Sequence, residues 1–491
     1  MASAARRKSS PGKGQPQGRH RRPAAQSPIQ RLGNESLFRN SASLVMNLAL
    51  GAGCGYGALL LLTRLFSVQA VGLSAAAAAA SALIVFVMQF GINMSLPRFL
   101  PESQSRDGLI NTVITIIIPA TLLGAVVYLT LPFAGKLYAL GGWLFGVVFV
   151  IGASVQAGEA VLQTILIADR SSGKVAVGNV IPNLVKLAAP MVFVVLKTTG
   201  AYVSRIIADV VGFTVFGILV ARRGHRFRPS LSMAAIRDLG RFSIGMYMAS
   251  LMGSLPLLVV PIIILSRFGS RQSAYWSIAI AIASLLYQLP GTVAQALLPE
   301  VASRPSDRRL LMRRSAAVIV TMFIPVLIVA YIAAPFILSI FGRSYAAQGT
   351  DTLRWLIVAG LITILNYVTG AVLFLAKKTL IITIINFIDA VIVLGMTSVW
   401  ANGTQDVAIS WVVGDISNTV LFALFAFIAL HQVRGRWEDL GGPRAKATLS
   451  IAGSPASTMD PQQRGIEALV MLAEAQRVGS SHESRTIPKA G

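Results

Sequence analysis

Long apolar segments separated by short polar ones dominate the chain from about residue 41 to residue 430. Each could form a helix long enough to cross a hydrocarbon core of about 30 Å. The segments lack the alternation of a membrane β-barrel, and backbone groups in lipid must bond within their own segment. We therefore predict twelve membrane-spanning helices, near Ser41–Leu62, Leu73–Leu96, Leu109–Leu131, Gly142–Ala168, Val175–Leu196, Ala201–Ala221, Ser243–Leu265, Ala274–Leu298, Ser315–Ile340, Trp355–Ala376, Leu380–Trp400 and Val407–Leu430.

Composition agrees with an all-α polytopic membrane protein. The 491 residues are 54% hydrophobic and 13% charged, against about 25% charged in ordinary soluble domains. The net charge of +24 would suit a nucleic-acid partner only on a basic soluble domain with aromatics, and no such domain is predicted. The single cysteine, Cys54, lies inside the first apolar segment, which excludes an intramolecular disulfide.

Basic residues predict the orientation of the helices. With the N-terminus inside, the inner loops contain seventeen Lys and Arg residues and the outer loops contain seven. Because basic loops stay in the cytoplasm, we expect both termini there. The longest basic connection divides the chain into a tail at 1–40, a six-helix lobe at 41–221, a linker at 222–242, a second lobe at 243–430 and a tail at 431–491.

Both tails are predicted to be cytoplasmic. The first 40 residues contain nine basic residues and one acidic residue, too polar to fold, and should lie against anionic lipid headgroups. In the C-terminal tail, Asp460 and Pro461 suit the start of a short amphipathic helix. The apolar residues that follow are spaced for one face of that helix.

A short motif occurs twice. Residues Leu100–Arg106 and Leu298–Arg304 both read L-P-E-x-x-S-R, and each copy follows the second apolar segment of a six-segment half. Internal similarity of this kind is typical of transporters built from two like bundles with the substrate path between them.

Ionisable residues at membrane depth are candidate functional groups because burying them is costly. Lys186 lies between Pro182 and Pro190, which permit bending and suit a helix beside a hydrated cavity. The alternative for Lys186 is a purely structural ion pair with Glu159. Arg205 and Asp209 are four residues apart and can pair with each other on one helix face.

Two further carboxylates lie in the last two predicted helices. Asp389 and Asp415 have no basic residue nearby in sequence. Each is a candidate proton or cation site, as are Glu159 and Asp209. The alternative is hydrogen bonding of Asp389 and Asp415 to neighbours such as Asn386 or Asn418.

Other chemistry is not indicated. All four histidines lie in tails or loops, which argues against a buried metal or histidine base. Gly173 and Lys174 are followed by Val175 rather than Ser or Thr, so no P-loop is present. No catalytic constellation can be proposed, and we expect a protein that is not an enzyme and needs no cofactor.

Three stretches resemble a known family. Gly72-Leu73 through Gln89-Phe90-Gly91-Ile92 to Leu96–Glu102 resembles the second helix of oligosaccharide flippases, the Wzx-type branch of the MOP superfamily. Tyr275 through Gln295–Glu300 resembles helix eight of that group. Phe341–Ala346 resembles its FGxxY loop before helix ten. The long basic tails depart from the family pattern.

The resemblance implies two six-helix lobes around a central cavity, as in MATE transporters, and alternating access. The implied substrate is an oligosaccharide linked to polyprenyl pyrophosphate, moved from the inner to the outer leaflet. Cations facing the cavity would hold the phosphates, and the candidates are Lys186, Arg205 and Arg64. The partners would be this lipid-linked oligosaccharide, membrane lipids and glycan polymerases or glycosyltransferases.

Four alternatives remain at this point. A MATE-like drug or cation antiporter shares the fold and favours acidic cavity residues. A major-facilitator transporter would carry a Gly-x-x-x-Asp-Arg-x-Gly type loop, which Pro97–Gly108 does not match. A membrane glycan polymerase or ligase would need larger outer loops, and a scaffold would act through the tails.

Overall fold

The structure is a computed structural model that describes residues 36–440 apart from positions 104, 141, 170, 226, 304–307 and 376–377. Within these residues all regular structure is helical. The α-helices are α1 Ser36–Leu65, α2 Val68–Met88, α3 Ile92–Glu102, α4 Arg106–Thr130, α5 Gly142–Ala168, α6 Ser172–Gly178, α7 Val180–Phe193, α8 Lys197–Ala221, α9 Met233–Phe268, α10 Ser270–Ser303, α11 Arg308–Phe341, α12 Arg343–Leu375, α13 Thr379–Val399 and α14 Thr404–Leu440. Two 3-10 helices span Pro132–Leu140 and Val194–Leu196.

Every predicted apolar segment falls on one helix or on consecutive helices. By length and hydropathy alone, eight spans in the described part of the chain could cross a membrane. One of the eight, Gly173–Ala221, is 49 residues long and contains two predicted segments. The boundaries differ most at α9, which begins at Met233 rather than Ser243, and at α12, which begins at Arg343 rather than Trp355. The helices therefore extend beyond their apolar parts.

The second predicted segment is broken rather than continuous. Phe90 and Gly91 have φ angles of 45° and 75°, which end α2 and start α3. Near the end of α2, the carbonyl of Val87 accepts from the N–H of Phe90 at 3.3 Å and from the Tyr247 hydroxyl of α9 at 2.9 Å. A polar side chain also supports the break, because Thr164 of α5 donates to Asn93 Oδ1 at 3.1 Å.

The fifth predicted segment is also divided. It consists of α6, α7 and the 3-10 helix that ends at Leu196. Pro182 lies in the first turn of α7, where its missing N–H removes the bond that would continue α6. Pro190 lies inside α7. The prolines that suggested bending in the sequence therefore coincide with a helix that is short and irregular at both ends.

The small residues of α2 place this helix at the centre of the packing. We call α1–α8 the first half and α9 to Ala426 of α14 the second half. Ala70 and Val71 pack with the core of the second half, while Leu73, Ala77 and neighbouring residues pack with α4, α5 and α8. Twelve residues of α2 are buried. Alanine side chains allow helices to approach closely on several sides.

The helix ends alternate as the predicted topology requires. We call the end at which α1, α9 and α11 finish the outer end, and the opposite end the inner end. Residues from three predicted inner loops meet at the inner end. Asp169 accepts a hydrogen bond from Arg223 at 3.1 Å and lies 3.9 Å from Arg106, and His225 contacts Asp107 at 2.8 Å. The alternation of helix ends is therefore observed, whereas the cytoplasmic assignment stays a prediction.

The two copies of the L-P-E-x-x-S-R motif both lie where a helix reaches the inner end. The first spans the end of α3 and the first residue of α4, and the second spans the end of α10. Arg304 of the second copy and the predicted amphipathic tail helix lie outside the described residues. Residues up to Ala426 form one compact unit, and of the second unit only the last part of α14, to Leu440, is described.

Candidate functional site

A cavity of about 280 Å³ lies between the two halves. Its walls come from α1, α2, α7 and α8 of the first half and from α10 of the second. Much of the wall consists of small side chains, because α1 contributes Gly55 and Ala58 and α2 contributes Ala75 and Ala78. The cavity is therefore a space that the small residues of these helices leave open.

Two predicted cations lie together in this cavity. Lys186 of α7 and Arg205 of α8 both line it and both are half-buried. They are near enough to interact electrostatically. Among the described residues, neither cation has a carboxylate oxygen within 4.0 Å, so neither forms an ion pair. The ion pairs with Glu159 and Asp209 that were the structural alternatives are therefore not formed at contact distance.

The third predicted cation lies elsewhere. Arg64, at the end of α1, is exposed and is not part of the cavity wall. Its Nε and Nη2 atoms donate to the carbonyl of Ile340 at 3.2 Å and 2.5 Å. In this structure Arg64 caps a helix of the second half. A role for Arg64 in phosphate binding stays a prediction.

The acidic candidates of the first half lie behind the cations. Glu159 accepts a hydrogen bond from Gln163 at 2.9 Å and packs against Gly212 of α8. Asp209 and Glu159 both interact electrostatically with Lys186. Neither carboxylate is among the residues that line the cavity. These acids can balance part of the positive charge of Lys186 and Arg205, while both cations stay accessible from the cavity.

The acidic candidates of the second half form a separate group between α12, α13 and α14. Asp415 accepts from the hydroxyl of Thr363 at 3.2 Å. Asp389 packs against Gly414, and its Oδ1 atom is buried without a hydrogen-bond partner among the described residues. Asn418, the predicted neighbour, lies close enough to Asp389 to interact with it. The group is polar, enclosed and distinct from the cavity that contains Lys186.

Four polar cavity residues were not anticipated, namely Tyr56, Ser74, Ser204 and Ser277. The Tyr56 hydroxyl of α1 donates to the carbonyl of Ala281 in α10 at 2.6 Å, which joins the two halves across the cavity. Ser204 lines the cavity beside Arg205. The only sequence signal for these residues is a polar group in an apolar segment. Many serines and tyrosines give the same signal and have only a packing role.

The same fold occurs in solved membrane transporters and flippases. The lipid II flippase MurJ, in an inward closed conformation, has a TM-score of 0.62 and 13% identity, covering 78% of this chain and 86% of that chain. An inward-facing multidrug resistance MATE family transporter of the MOP superfamily has a TM-score of 0.56 and 14% identity, covering 81% and 96%. A MATE transporter from Vibrio cholerae has a TM-score of 0.54 and 16% identity, covering 83% and 99%. The chain is thus a multi-pass membrane protein with the all-α fold of MOP-superfamily transporters.

Sequence comparison adds the family. No curated protein gives a significant match to the chain. Residues 37–303, more than half of the 491, match a family described as polysaccharide biosynthesis protein. The match begins in α1, ends with α10 and includes every residue that lines the cavity. The chain therefore belongs to the polysaccharide biosynthesis protein family.

Proposed function

We propose that this protein is a flippase that moves an oligosaccharide linked to polyprenyl pyrophosphate from the inner to the outer leaflet of a bacterial inner membrane. The headgroup would pass between the halves by alternating access while the prenyl chain stays in lipid. Both termini would lie in the cytoplasm, as the loop charges predict. The family match supports a role in polysaccharide biosynthesis. The likeness to MurJ, named as a lipid II flippase, supports a lipid-linked substrate.

The observation that carries the proposal is the pair Lys186 and Arg205. Both are half-buried at the cavity, and neither has a described carboxylate within ion-pair distance. Asp209 and Glu159 balance this charge only from beyond ion-pair distance, and charge at membrane depth is costly, which favours an anionic ligand in direct contact with the two cations. Guanidinium and ammonium groups form charge-assisted hydrogen bonds to phosphate oxygens. A pyrophosphate offers one negative charge on each phosphate and fits two neighbouring cations.

The cavity volume constrains how transport would occur. A volume of about 280 Å³ is at the lower end of the range for ligand pockets, about 300–1,000 Å³. It can enclose a diphosphate but not a whole oligosaccharide. The halves must separate further at one end before a headgroup can enter, and Tyr56 must then release Ala281. This is the motion that alternating access requires.

The acidic group of the second half is our candidate for ion coupling. Asp389 and Asp415 lie close enough to interact, and Asp389 Oδ1 has no hydrogen-bond partner in the described part of the chain. A proton or a cation bound there would complete the hydrogen bonding of the group. Glu159 and Asp209 are the corresponding candidates in the first half, where ion binding would also alter the charge near Lys186.

The test replaces the two cavity cations. We expect Lys186→Ala and Arg205→Ala each to weaken binding of polyprenyl pyrophosphate to purified protein about tenfold or more, because each removes charge-assisted hydrogen bonds. We expect the double variant to abolish complementation of a flippase-deficient strain. Radiolabelled lipid-linked oligosaccharide should accumulate in the inner leaflet of those cells.

Lys174→Ala is the matched control. Lys174 is exposed at the start of α6, so Lys174→Ala also removes one positive charge, but outside the cavity. Binding and complementation should stay at the level of the unchanged protein. Full complementation by the double variant, at normal abundance in the membrane, would exclude Lys186 and Arg205 from phosphate binding and remove the main support for this function.

A MATE-like cation or drug antiporter is the second candidate. The buried Asp389 Oδ1, which no described residue hydrogen-bonds, favours it, since an acidic site suits a cationic substrate or coupling ion. The two functions separate in one experiment. An exporter-null strain carrying this chain should gain resistance to cationic drugs if it is an antiporter, and no resistance if it moves a lipid-linked anion.

A further inference from the structure

Two cations of the first half bind the ends of helices in the second half at the outer end. Arg64, the penultimate residue of α1, donates to Ile340 in the last turn of α11. Lys136, in the 3-10 helix between α4 and α5, donates to the carbonyls of Ser266 at 2.6 Å and Leu265 at 3.4 Å, near the end of α9. Both donors therefore come from one half and both acceptors from the other.

The acceptors are carbonyls that their own helices leave unsatisfied. The last four carbonyls of an α-helix have no intrahelical donor, and the helix dipole gives this end a partial negative charge. After α11, the N–H of Gly342 bonds to the carbonyls of Leu338 and Ser339, and the carbonyl of Ile340 receives Arg64. Lysine and arginine side chains stabilise helix C-termini in this way. Here they do so between two halves.

These contacts lie just beyond the outer limit of the cavity. Leu62 of α1 and Val71 of α2 line the cavity. Arg64 follows Leu62 by two residues. Ser273 of α10 lies one turn nearer the outer end than the cavity residue Ser277, and its hydroxyl donates to the carbonyl of Gly72 in α2 at 3.1 Å. The outer end of the cavity is thus closed by a layer of contacts between the halves.

We infer that Arg64 and Lys136 form an outer latch, a pair of positioning residues that hold the outer end closed by capping helices α11 and α9 of the opposite half. The latch must release whenever the outer end opens. Its place in a transport cycle rests on the proposed function, but its effect on the spacing of the halves does not. Because the capping bonds are largely exposed, each is weak. The latch therefore raises the fraction of molecules whose outer end is closed and does not prevent opening.

Arg267 provides a matched control. Its Nη1 atom donates to the carbonyl of Thr397 at 2.7 Å, near the end of α13. This is the same kind of cap at the same end of the molecule. Donor and acceptor both belong to the second half, so the bond does not join the two halves. Arg267→Gln removes a cap without touching the latch.

The experiment measures the distance between the halves at the outer end. Spin labels would replace Thr130 at the end of α4 and Val399 at the end of α13, both exposed, in a Cys54→Ala background in lipid nanodiscs. Double electron–electron resonance then reports the fraction of molecules in which the labels are far apart. We expect Arg64→Gln and Lys136→Gln each to raise the ratio of separated to closed molecules about two- to fivefold, and the double variant to raise it further.

Arg267→Gln should leave the distribution unchanged, and Arg64→Lys, which keeps the charge, should restore most of the closed population. An unchanged distribution in the double variant would overturn the latch. So would an equal shift in Arg267→Gln, because it would show a general effect of losing helix caps. If the double variant opens while Lys186→Ala and Arg205→Ala leave substrate binding intact, the latch stands and the proposed substrate does not.

Discussion

At the residue scale, a close approach between the halves depends on the absence of a side chain at Gly72. A Cβ atom built on Gly72 would lie 1.8 Å from the carbonyl oxygen of Ser270 and 2.9 Å from the backbone nitrogen of Ala274. Both neighbours are backbone atoms of α10, which cannot move aside as a flexible side chain can. The contact therefore requires glycine, and the Ser273 hydroxyl bonds to the Gly72 carbonyl because the two helices are this near.

We predict that Gly72→Ala prevents the outer end from closing as it does here. Overpacking of this kind costs about 1–3 kcal/mol, and a clash with backbone belongs at the upper end of that range. The variant should insert normally, show a lower thermal unfolding midpoint in detergent and lose complementation.

Gly53→Ala is the control for Gly72→Ala. A Cβ on Gly53 would meet nothing within 4 Å, and its helix α1 is otherwise intact, so the same chemical change should leave complementation intact there. Equal activity of the two alanine variants would show that α2 and α10 do not need this approach.

The cavity cations were predictable from the sequence, whereas the residues that surround them were not. Lys186 and Arg205 stood out because charge is rare in apolar segments, and that signal is independent of tertiary structure. Arg64 was placed in an outer loop and was a phosphate-binding candidate only as a further cation of the first half, and in the structure it caps Ile340. Its partner lies 276 positions away in sequence, and no local pattern encodes which helix end a long side chain will reach.

At the element scale, the break between α2 and α3 separates a segment that is continuous in hydropathy. Apolar periodicity predicts one helix from Leu73 to Leu96, because Phe90 and Gly91 interrupt neither the length nor the apolar character of the run. The break depends on the backbone conformation of Phe90 and Gly91, and the Tyr247 hydroxyl gives the nearby Val87 carbonyl a second hydrogen-bond donor. Helix positions were therefore predictable from the sequence, whereas breaks supported by distant side chains were not.

We predict that Gly91→Ala destabilises the protein by about 1–2 kcal/mol, because the left-handed conformation at φ 75° places a Cβ too close to the following carbonyl. The measurement is the free energy of unfolding in detergent, followed by helical circular dichroism during denaturant titration.

Gly395→Ala serves as the comparison for Gly91→Ala. Gly395 lies in the interior of α13, and a Cβ added to it would meet nothing within 4 Å, so alanine there should be neutral or stabilising by up to about 1 kcal/mol. A stabilising effect of Gly91→Ala would indicate that the break is not maintained in the folded protein.

At the scale of the whole molecule, the outer and inner ends differ in which elements their charged side chains connect. Cationic side chains bind helix carbonyls across the halves at the outer end. At the inner end, Arg106, Arg223 and His225 surround Asp169, and all four belong to the first half or to the connection that follows it. The connection is also fixed to α4, because the N–H of Arg228 donates to Asn111 at 3.2 Å. The basic connection between the halves is therefore held by the first half.

We predict from the loop charges that this connection faces the cytoplasm. In a Cys54→Ala background, a cysteine at exposed Arg222 should react with an impermeant maleimide only after the cells are permeabilised. A cysteine at exposed Thr130, at the other end of the helices, should react in intact cells. Labelling of position 222 in intact cells would reverse the orientation, and with it the direction of the proposed transport.

The walls of the cavity are unequal. Lys186, Arg205, Ser204 and Tyr56 all come from the first half, and among the described residues the second half contributes only α10. If Lys186 and Arg205 bind the phosphates as proposed, this binding depends on the first half and α10, and no described residue after 303, where the family match also ends, lines the cavity. Chimeras that join the first ten helices of this chain to the last four of a relative should therefore keep the affinity of this chain for polyprenyl pyrophosphate.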